Sequence, residues 1–323
     1  MASPEKITRI VESCLKENPC DVDVRYNEPM SQHCTFKTGG PADCYVRPSG
    51  DGFPAFTASL LSSARAEGIP FFILGGGANI LVADKGIRGI VLDTDRWAGE
   101  VEGDKTLLRV KAGTGIDDAV KIALEKSLCG LEFLAGMPGS VGGAVWMNAR
   151  CYGREISDAL VETEFIDFSL SPPKTSRLPV DRREFGYKRS PFQGRDALIL
   201  SAVFQLSPGN KEEILARMDA NRRDREEKGH YRFPSAGSVF KNNPTFGKPT
   251  GKIIDELGLR GLEKGGAKIA EWHGNFIINT DSAASKDIRA LAEETALRVK
   301  QATGLILEPE ILFVGEWAEN REQ

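Results

Sequence analysis

The sequence predicts an α+β protein made of two parts, the second smaller than the first. The chain has 323 residues, more than most single hydrophobic cores contain. Up to about residue 206, strand-like apolar runs mix with helix-like periodicity, and glycine-rich turns separate them. Beyond that point, helical segments are joined by short strands. We therefore expect one domain over residues 1–207 and a second over residues 208–323.

In the first part, apolar spacing and turn residues predict interspersed helices and strands. Helices are predicted over residues 6–17, 55–66 and 116–128. Strands are predicted over residues 42–47, 71–74, 89–92, 107–111, 159–168 and 197–206. Two of these strands, 71–74 and 107–111, lead directly into glycine-containing turns, which makes the ends of both strands candidate binding positions.

The second part opens with a linker-like stretch, Ser207–Asn210, and a charged helix over Lys211–Lys228. Acidic and basic residues interleave along this helix, which favours a solvated surface over a binding surface. The remaining predicted elements are a helix over 250–257, a strand over 275–279, a helix over 285–301 with Ser285 as its cap and Gly304 at its end, and a strand over 311–314.

Composition disfavours several classes of protein. With 42 basic and 46 acidic residues, the net charge is −4, which gives no general attraction to nucleic acid or to an anionic membrane. The first twenty residues lack the apolar core of a signal peptide, and apolar runs such as 69–74 are too short to cross a membrane. We expect a cytoplasmic monomer without nucleic-acid or membrane partners.

Cysteine and histidine spacing gives no indication of a metal site. The six cysteines include no C-x-x-C pair, and the three histidines are scattered along the chain. In a chain without a signal segment, such cysteines are expected to be reduced thiols rather than a disulfide framework.

The first candidate binding segment is Phe71–Asn79, in which an apolar strand leads into Gly75-Gly76-Gly77. Glycine leaves the backbone uncovered, so N–H groups can approach phosphate oxygens closely. The alternative is a tight turn after a strand. The spacing is not G-x-G-x-x-G before a long helix, so an ordinary Rossmann site is not indicated.

The second candidate segment is Gly136–Asn148, which has four glycines within its first eight residues. Pro138 stiffens its entry, and Ser140 adds a hydroxyl group. Two such segments in one domain are harder to explain as plain turns than one is. Together they predict a site for a diphosphate-bearing dinucleotide.

Three further segments carry polar groups that could take part in catalysis or bind a substrate. Pro234–Asn242 places Ser238 behind a glycine, Phe185–Ser190 places two cations beside Tyr187, and Glu308–Glu310 precedes the last strand. Taken singly, each has a simpler explanation: a helix-capping serine, surface charge and solvated carboxylates. A serine hydrolase is disfavoured, because no G-x-S-x-G motif and no suitably spaced histidine are present.

Taken in this order, the segments resemble the UDP-N-acetylenolpyruvoylglucosamine reductase (MurB) family. The resemblance extends from about residue 31 to residue 316, and the combination of motifs is specific although no single glycine segment is. The matching stretches are Thr35–Asp43, Leu74–Leu81, Gly136–Val145, Met147–Ala149, Pro234–Phe240, His273–Ile277 and Leu307–Glu310.

This resemblance implies a fold, a reaction and two cofactors. It implies that residues 1–207 form an FAD-binding domain of the vanillyl-alcohol-oxidase (PCMH) type, in two lobes that meet near residues 95–105. It implies that residues 208–323 form a substrate-binding domain, with the last strand packing back on the FAD domain. The implied reaction reduces the enolpyruvyl ether of UDP-N-acetylglucosamine to UDP-N-acetylmuramate, with NADPH as reductant. The short chain between Tyr187 and Ser238 implies the subclass without the extra tyrosine loop.

The resemblance also implies roles for individual residues. Ser238 is the implied proton donor. Glu310 is implied to stabilise the enolate or to handle its proton, and Lys188 stands where the family has a cation that supports the enolate. The implied FAD-binding residues are Thr38, Gly39, Gly75, Gly76, Gly77, Ala78, Asn79, Ile80, Gly113, Gly136, Pro138, Gly139, Ser140, Gly142, Gly143 and Ala144. The implied substrate-binding residues are Tyr187, Arg189, Lys228, Gly237, Asn242 and His273.

The sequence departs from the family pattern beside Tyr187. The family usually has an arginine there, whereas this chain has Lys188 followed by Arg189. Lysine keeps the positive charge but lacks the planar, two-pronged guanidinium. By register we favour Lys188 over Arg189 as the cation that supports the enolate. Arg150-Cys151 also replaces a usual Gly-Ala pair.

Three other functions remain open from the sequence alone. An FAD-dependent oxidase of a small alcohol or hydroxy acid would explain the glycine segments but not Ser238 together with Glu310. A non-catalytic protein that binds FAD or a UDP-sugar, and a structural α/β protein without a cofactor, are the others.

Overall fold

The computed structural model describes residues 4–101 and 104–317. The predicted lobe boundary near residues 95–105 includes residues 102 and 103, and the predicted domains include residues 1–3 and 318–323; these positions lie outside the described residues. The helices within the described ranges are α1 (Pro4–Glu17), α2 (Phe53–Ala66), α3 (Ile116–Glu125), α4 (Val141–Met147), α5 (Lys211–Glu227), α6 (Thr250–Glu256) and α7 (Ser285–Thr303).

The strands of the described residues are mostly short. They are β1 (Asp21–Pro29), β2 (Pro41–Ser49), β3 (Phe71–Leu74), β4 (Ile80–Val82), β5 (Ile87–Asp93), β6 (Glu100–Val101), β7 (Leu107–Lys111), β8 (Leu128–Cys129), β9 (Arg150–Cys151), β10 (Arg154–Glu155), β11 (Leu160–Asp167), β12 (Lys174–Pro179), β13 (Ala197–Gln205), β14 (Ser207–Pro208), β15 (Glu263–Lys264), β16 (Ala267–Ile269), β17 (Ile277–Asn279) and β18 (Leu312–Val314).

The chain forms two compact units, each assembled from discontinuous segments. The described residues of the first unit fall within Met1–Tyr26, Cys44–Gly76 and Gly89–Asp224, and those of the second within Asn27–Asp43, Gly77–Arg88 and Arg225–Gln323. These boundaries differ from the predicted division at residue 207. The assignment of residues 1–207 to FAD and of residues 208–323 to substrate stays a prediction.

In the first unit, a five-stranded sheet has the order β12-β11-β13-β7-β6, and every pair in it is antiparallel. Its apolar side chains form a core with α3 and α4, to which Leu108, Val145 and Phe204 contribute. A second core lies around α1 and α2, where Phe53, Phe56 and Leu60 are fully buried. Parallel pairing of β3 with β5 aligns Leu74 with Asp93 and leaves Gly75 just beyond the end of β3.

In the second unit, β15, β16 and β17 form an antiparallel sheet against which α7 packs. The last strand, β18, pairs in parallel with β4, which follows the first glycine segment. Ser285 does not cap α7 as predicted. Instead the carboxylate of Asp84 accepts the N–H groups of Ser285 and Lys286, at 2.7 and 2.9 Å. An acidic side chain from a distant segment thus neutralises the positive end of the helix dipole.

Most charged side chains of helix α5 are exposed, as predicted, but the stretch before the helix is not a linker. Ser207 and Pro208 form a short strand that pairs with β8. The side-chain oxygen of Asn210 accepts N–H groups from the first turn of α5 and so caps the helix. Ile214 and Met218 are each only 1% exposed and belong to the core of the first unit. These two residues form a short apolar stripe that anchors the helix in this core and is not evident among the interleaved charges.

The described residues include no helix with the length and hydropathy of a membrane span and no cluster of potential metal ligands. All six cysteines are free thiols.

Candidate functional site

In the first unit, Gly75 and Gly76 lie directly against the second glycine segment. A methyl group on Gly75 would lie 2.5 Å from Ser140 Oγ, and one on Gly76 would lie 2.5 Å from Gly139 Cα. Both distances are too short for a real contact. At Gly76 the atom met is backbone, so only glycine permits this approach, whereas at Gly75 the Ser140 hydroxyl would have to move. The Gly76 N–H donates to Ser140 Oγ at 3.2 Å. The two segments that were predicted separately therefore form one structure.

Ser140 joins these segments because its hydroxyl oxygen also caps α4. It accepts the Gly143 N–H at 3.3 Å and is itself buried. Gly142 follows without room for a side chain, since a methyl group there would lie 2.9 Å from Ala112 Cβ. Gly113 is similarly confined by the carbonyl oxygen of Thr94. These contacts give Ser140 and its neighbouring glycines a structural reason for their identity as well as a predicted binding role.

Within the second unit, Gly77 continues the first glycine segment with a positive φ of 61°. A methyl group on it would lie 2.0 Å from the carbonyl oxygen of His33, and its own carbonyl accepts the Thr35 N–H at 3.0 Å. Gly39 is confined by Val82, and the hydroxyl of Thr38 donates to the Ala283 carbonyl at 2.7 Å. The Thr35–Asp43 stretch thus supports the glycine segment.

Several backbone amides at these glycines fit a phosphate-bearing cofactor. Over residues 4–101 and 104–317, the N–H groups of Gly77 and Ala78 in the second unit have no protein acceptor. In the first unit, the same holds for the N–H group of Gly139. Unpaired amides beside glycine are what a diphosphate requires, because its oxygens accept hydrogen bonds and need close access. Among the other predicted FAD-binding residues, Ile80 and Ala144 have buried side chains and Pro138 is exposed.

The Tyr187 segment is a tight two-residue turn in the first unit. Gly186 and Arg189 exchange both backbone hydrogen bonds, each of 3.0 Å. Lys188 has a φ of +55°, which a non-glycine residue adopts uncommonly. Arg189 is exposed, and its guanidinium group lies near Gly186. Lys188 lies within the turn and Arg189 closes it, so the two residues occupy different positions. The choice between them as the cation that supports the enolate is therefore a choice between two positions.

Asn148, at the end of α4, fixes this turn. It is fully buried with a φ of +46°, and its amide donates to the Gly186 carbonyl at 2.8 Å and to Glu155 at 2.9 Å. Helix α4 lies within the second glycine segment, between its N-cap Ser140 and its C-cap Asn148, and spans about 10 Å at the rise of an α-helix. The predicted cofactor and substrate residues of this unit are therefore tied to opposite ends of one short helix.

Arg150, which replaces a small residue of the family pattern, also contacts the turn. Its guanidinium group lies over the Tyr187 ring, 5.5 Å from the centroid. Such stacking is a cation–π contact. Arg150 also lies 3.5 Å from Glu155.

In the second unit, Ser238 and Glu310 come from neighbouring extended segments. The Glu310 N–H donates to the Val239 carbonyl at 2.7 Å, and Phe240 is bridged to Pro309. On its other side, Ser238 is bridged to Phe276, which follows His273. Gly237 precedes Ser238 with a φ of +72° and open space around its Cα. The backbone thus brings together two residues that are 72 positions apart.

Asn79 connects the first glycine segment to Glu310. Its side-chain amide donates to the Glu310 carbonyl at 3.0 Å, and its own carbonyl accepts the Leu312 N–H at 3.0 Å. The β4–β18 pairing continues this contact from Ile80 onwards. The side chain of Asn79 thus holds the backbone of the predicted catalytic carboxylate segment, and the role of Asn79 in binding FAD stays a prediction.

The remaining predicted substrate residues lie in the second unit. Asn242 accepts the Thr250 N–H at the start of α6 at 2.9 Å, and Lys228 is exposed after α5. Nδ1 of His273 accepts the Asn275 N–H at 3.2 Å, and burial lowers the pKa of this histidine. His273 is therefore neutral at pH 7 and suited to hydrogen bonding rather than to charge neutralisation.

Comparison with known proteins agrees with these features. Residues 229–314 match the model of the UDP-N-acetylenolpyruvoylglucosamine reductase C-terminal domain, and residues 56–169 match an FAD binding domain. The reductase of Treponema denticola is 41% identical over 91% of this chain and 94% of its own length. That of Borreliella burgdorferi is 41% identical over 88% of this chain and 93% of its own.

A solved structure shows the same fold along nearly the whole chain. The crystal structure of the reductase (MurB) from Thermus caldophilus aligns with a TM-score of 0.73 and 32% identity, covering 91% of this chain and 99% of that one. The predicted fold class is thereby confirmed. With two-fifths identity across nine-tenths of its length, the chain belongs to the UDP-N-acetylenolpyruvoylglucosamine reductase family.

Proposed function

We propose that this protein reduces the enolpyruvyl ether of UDP-N-acetylglucosamine-enolpyruvate to UDP-N-acetylmuramate, a step in peptidoglycan precursor synthesis. The observation that carries the proposal is membership of the reductase family across nine-tenths of the chain. The backbone hydrogen bond from Glu310 to Val239, the residue after Ser238, supports it. FAD is the resident cofactor and NADPH is the reductant.

The glycine segments supply the groups that would hold FAD. In the second unit the backbone amides of Gly77 and Ala78 suit a phosphate group, and in the first unit that of Gly139 does. Within the first unit, the hydrogen bond from Gly76 to Ser140 keeps Gly76 packed against the second glycine segment. When bound, FAD would supply the hydride chemistry that links NADPH to the enolpyruvyl methylene carbon. The protein's own task is to fix the substrate and to control the charge and the proton.

Hydride arrival at the methylene carbon moves an electron pair towards the substrate carboxylate and creates an enolate. A cation near that carboxylate stabilises this charge as it develops, and we assign this role to Lys188 in the Tyr187 turn. The Ser238 hydroxyl then gives a proton to the neighbouring carbon, and Glu310 assists. Since serine is a weak acid, its proton must be replaced through hydrogen bonds or water. Tyr187, Arg189, Lys228, Gly237, Asn242 and His273 are assigned to substrate binding.

The alternative of an FAD-dependent oxidase on the same fold is not favoured. It would account for the glycine segments, but not for the Ser238 and Glu310 segments or for the relatives that span the chain. The substrate is a small molecule. We further propose a cytoplasmic monomer without nucleic-acid or membrane partners, on the basis of the net charge of −4.

The proposed function is tested by following flavin absorbance without oxygen. NADPH should bleach the yellow protein, and UDP-N-acetylglucosamine-enolpyruvate should restore the colour. Reoxidation by oxygen but not by this substrate would favour the oxidase. A protein that takes up FAD but is not reduced by NADPH would favour a non-catalytic binding role.

A further inference from the structure

Two carboxylates of the first unit hold the backbone at and just before the start of the second glycine segment. The Gly136 N–H donates to Asp117 Oδ1 at 2.8 Å, and the Gly130 N–H donates to Glu132 Oε2 at 2.7 Å. Gly136 has a φ of +75° and marks the sharp turn at which the glycine segment begins. Its position therefore depends on a side chain that lies 19 residues earlier, in the first turn of α3.

Both carboxylates are paired with arginines of helix α5. Arg222 contacts both oxygens of Asp117, at 2.9 and 3.1 Å, and Arg217 contacts Glu132 at 2.8 Å. Between them, the Asn221 amide donates to the Glu132 carbonyl at 2.8 Å. The helix is itself anchored in the core by Ile214 and Met218, so these polar groups project from a fixed support.

Asp117 is suited to this role because its charge is retained. Burial alone would raise the pKa of its carboxyl group, but the Gly136 N–H and the Arg222 guanidinium outweigh that effect and hold the pKa below 3.8. An ionised carboxylate accepts a stronger hydrogen bond from a backbone N–H than a neutral oxygen does.

We propose that Asp117 and Arg222 are positioning residues for the cofactor, because together they fix the backbone at Gly136 and so hold the Gly139 amide in place for a phosphate. The inference rests on the proposed FAD site. Neither residue touches the glycine amides that would meet the cofactor; Asp117 acts through Gly136, and Arg222 acts through Asp117.

The experiment compares Asp117→Ala with Asp118→Ala. Asp118 is a matched control, since it lies in the same first turn of α3 and contacts the same Lys121, yet its side chain is 64% exposed and the Gly136 N–H donates to Asp117 instead. Each substitution removes one charge at the same end of the helix dipole. Flavin is stripped from each protein, the apoprotein is titrated with FAD by quenching of flavin fluorescence, and its thermal unfolding is recorded separately.

Asp117→Ala should weaken FAD binding about 10-fold to 100-fold, the range expected for one charge-assisted hydrogen bond. Asp118→Ala should change it less than about 3-fold, as for an exposed ion pair. Equal FAD affinity in the two variants would overturn the proposal. So would a lower unfolding temperature of the Asp117→Ala apoprotein with unchanged FAD affinity, because that result describes a merely structural residue.

If Asp117→Ala fails to fold, two milder variants are measured in its place. Asp117→Asn keeps an oxygen for the Gly136 N–H and loses the ion pair, and Arg222→Gln loses the pair from the other side. Both should bind FAD with an affinity between that of the wild type and that expected for the alanine variant; wild-type affinity in both would overturn the proposal. FAD binding is measured without substrate, so its result can be interpreted even if the proposed reductase activity is not found.

Discussion

Replacing Gly76 with alanine should separate the two glycine segments. The new methyl carbon would lie 2.5 Å from Gly139 Cα, 2.7 Å from the Gly139 carbonyl carbon and 2.8 Å from the Ser140 nitrogen. All three are backbone atoms, so no flexible side chain can rotate away. Reaching an ordinary contact of about 3.5 to 4.0 Å requires the second segment to move by roughly 1 Å.

The size of the effect follows from overpacking in a confined position, which typically costs about 1–3 kcal/mol. The same displacement should also break the 3.2 Å hydrogen bond from the Gly76 N–H to Ser140 Oγ. Because the moved atoms include the Gly139 amide, we expect FAD affinity to fall by at least about 10-fold, equivalent to about 1.4 kcal/mol.

The assay is FAD titration of the apoprotein together with its thermal unfolding. Gly194→Ala is the matched control: Gly194 lies in the same unit, and a methyl group there meets nothing within 4 Å. Gly143→Ala should be intermediate, since its methyl group would lie 3.4 Å from Ser140 Oγ. If Gly76→Ala binds FAD and unfolds like Gly194→Ala, the close approach of the two segments is wrong.

Three further outcomes are expected. Lys188→Ala should slow flavin reoxidation by substrate about 100-fold, the scale of one lost charge-stabilising donor. Arg189→Ala should slow it less, and stopped-flow absorbance measures both rates. The reverse order would contradict the assignment of Lys188 by register. Asn79→Ala should leave FAD affinity within about 3-fold but slow reoxidation by roughly 10-fold, because it removes the 3.0 Å hydrogen bond that holds the Glu310 backbone; an unchanged reoxidation rate would refute that role. Burial lowers the pKa of His273 below its ordinary 6.5, so the unfolded state takes up a proton first as pH falls. The free energy of unfolding should therefore decrease below about pH 6.5, and urea denaturation of His273→Gln should show a weaker decrease; an identical pH dependence would exclude this contribution.

Local sequence signals predicted much of the fold because they report local geometry. The strands 71–74 and 107–111 were predicted with the bounds that the structure has, since a short apolar run followed by glycine determines both ends. The helix from Ser285 ends at Gly304, which has a φ of +74° as its predicted role requires. Its start at Ser285 was predicted correctly, but its cap was not, because the carboxylate that accepts the Ser285 N–H belongs to Asp84, 201 positions away.

For the same reason, the sequence did not reveal the contacts of the site that join distant parts of the chain. Asn148 was visible as the end of a glycine segment, but its hydrogen bond to Gly186 spans 38 positions. Asp117 and Arg222 are 105 positions apart, and their charges looked like ordinary surface charge on amphipathic helices. Such contacts depend on tertiary packing and leave no periodic signal. The glycines were detectable because each close approach to backbone demands the same residue type.

The central claim is that reducing equivalents pass from NADPH to the enolpyruvyl group. It is tested most directly by mixing NADPH-reduced protein with UDP-N-acetylglucosamine-enolpyruvate in the absence of oxygen and identifying the product by mass spectrometry. The account predicts UDP-N-acetylmuramate in an amount equal to the flavin reoxidised in wild-type protein, and none within the same time in Ser238→Ala, although NADPH still reduces its flavin. Unchanged substrate beside wild-type protein that stays reduced would contradict the claim.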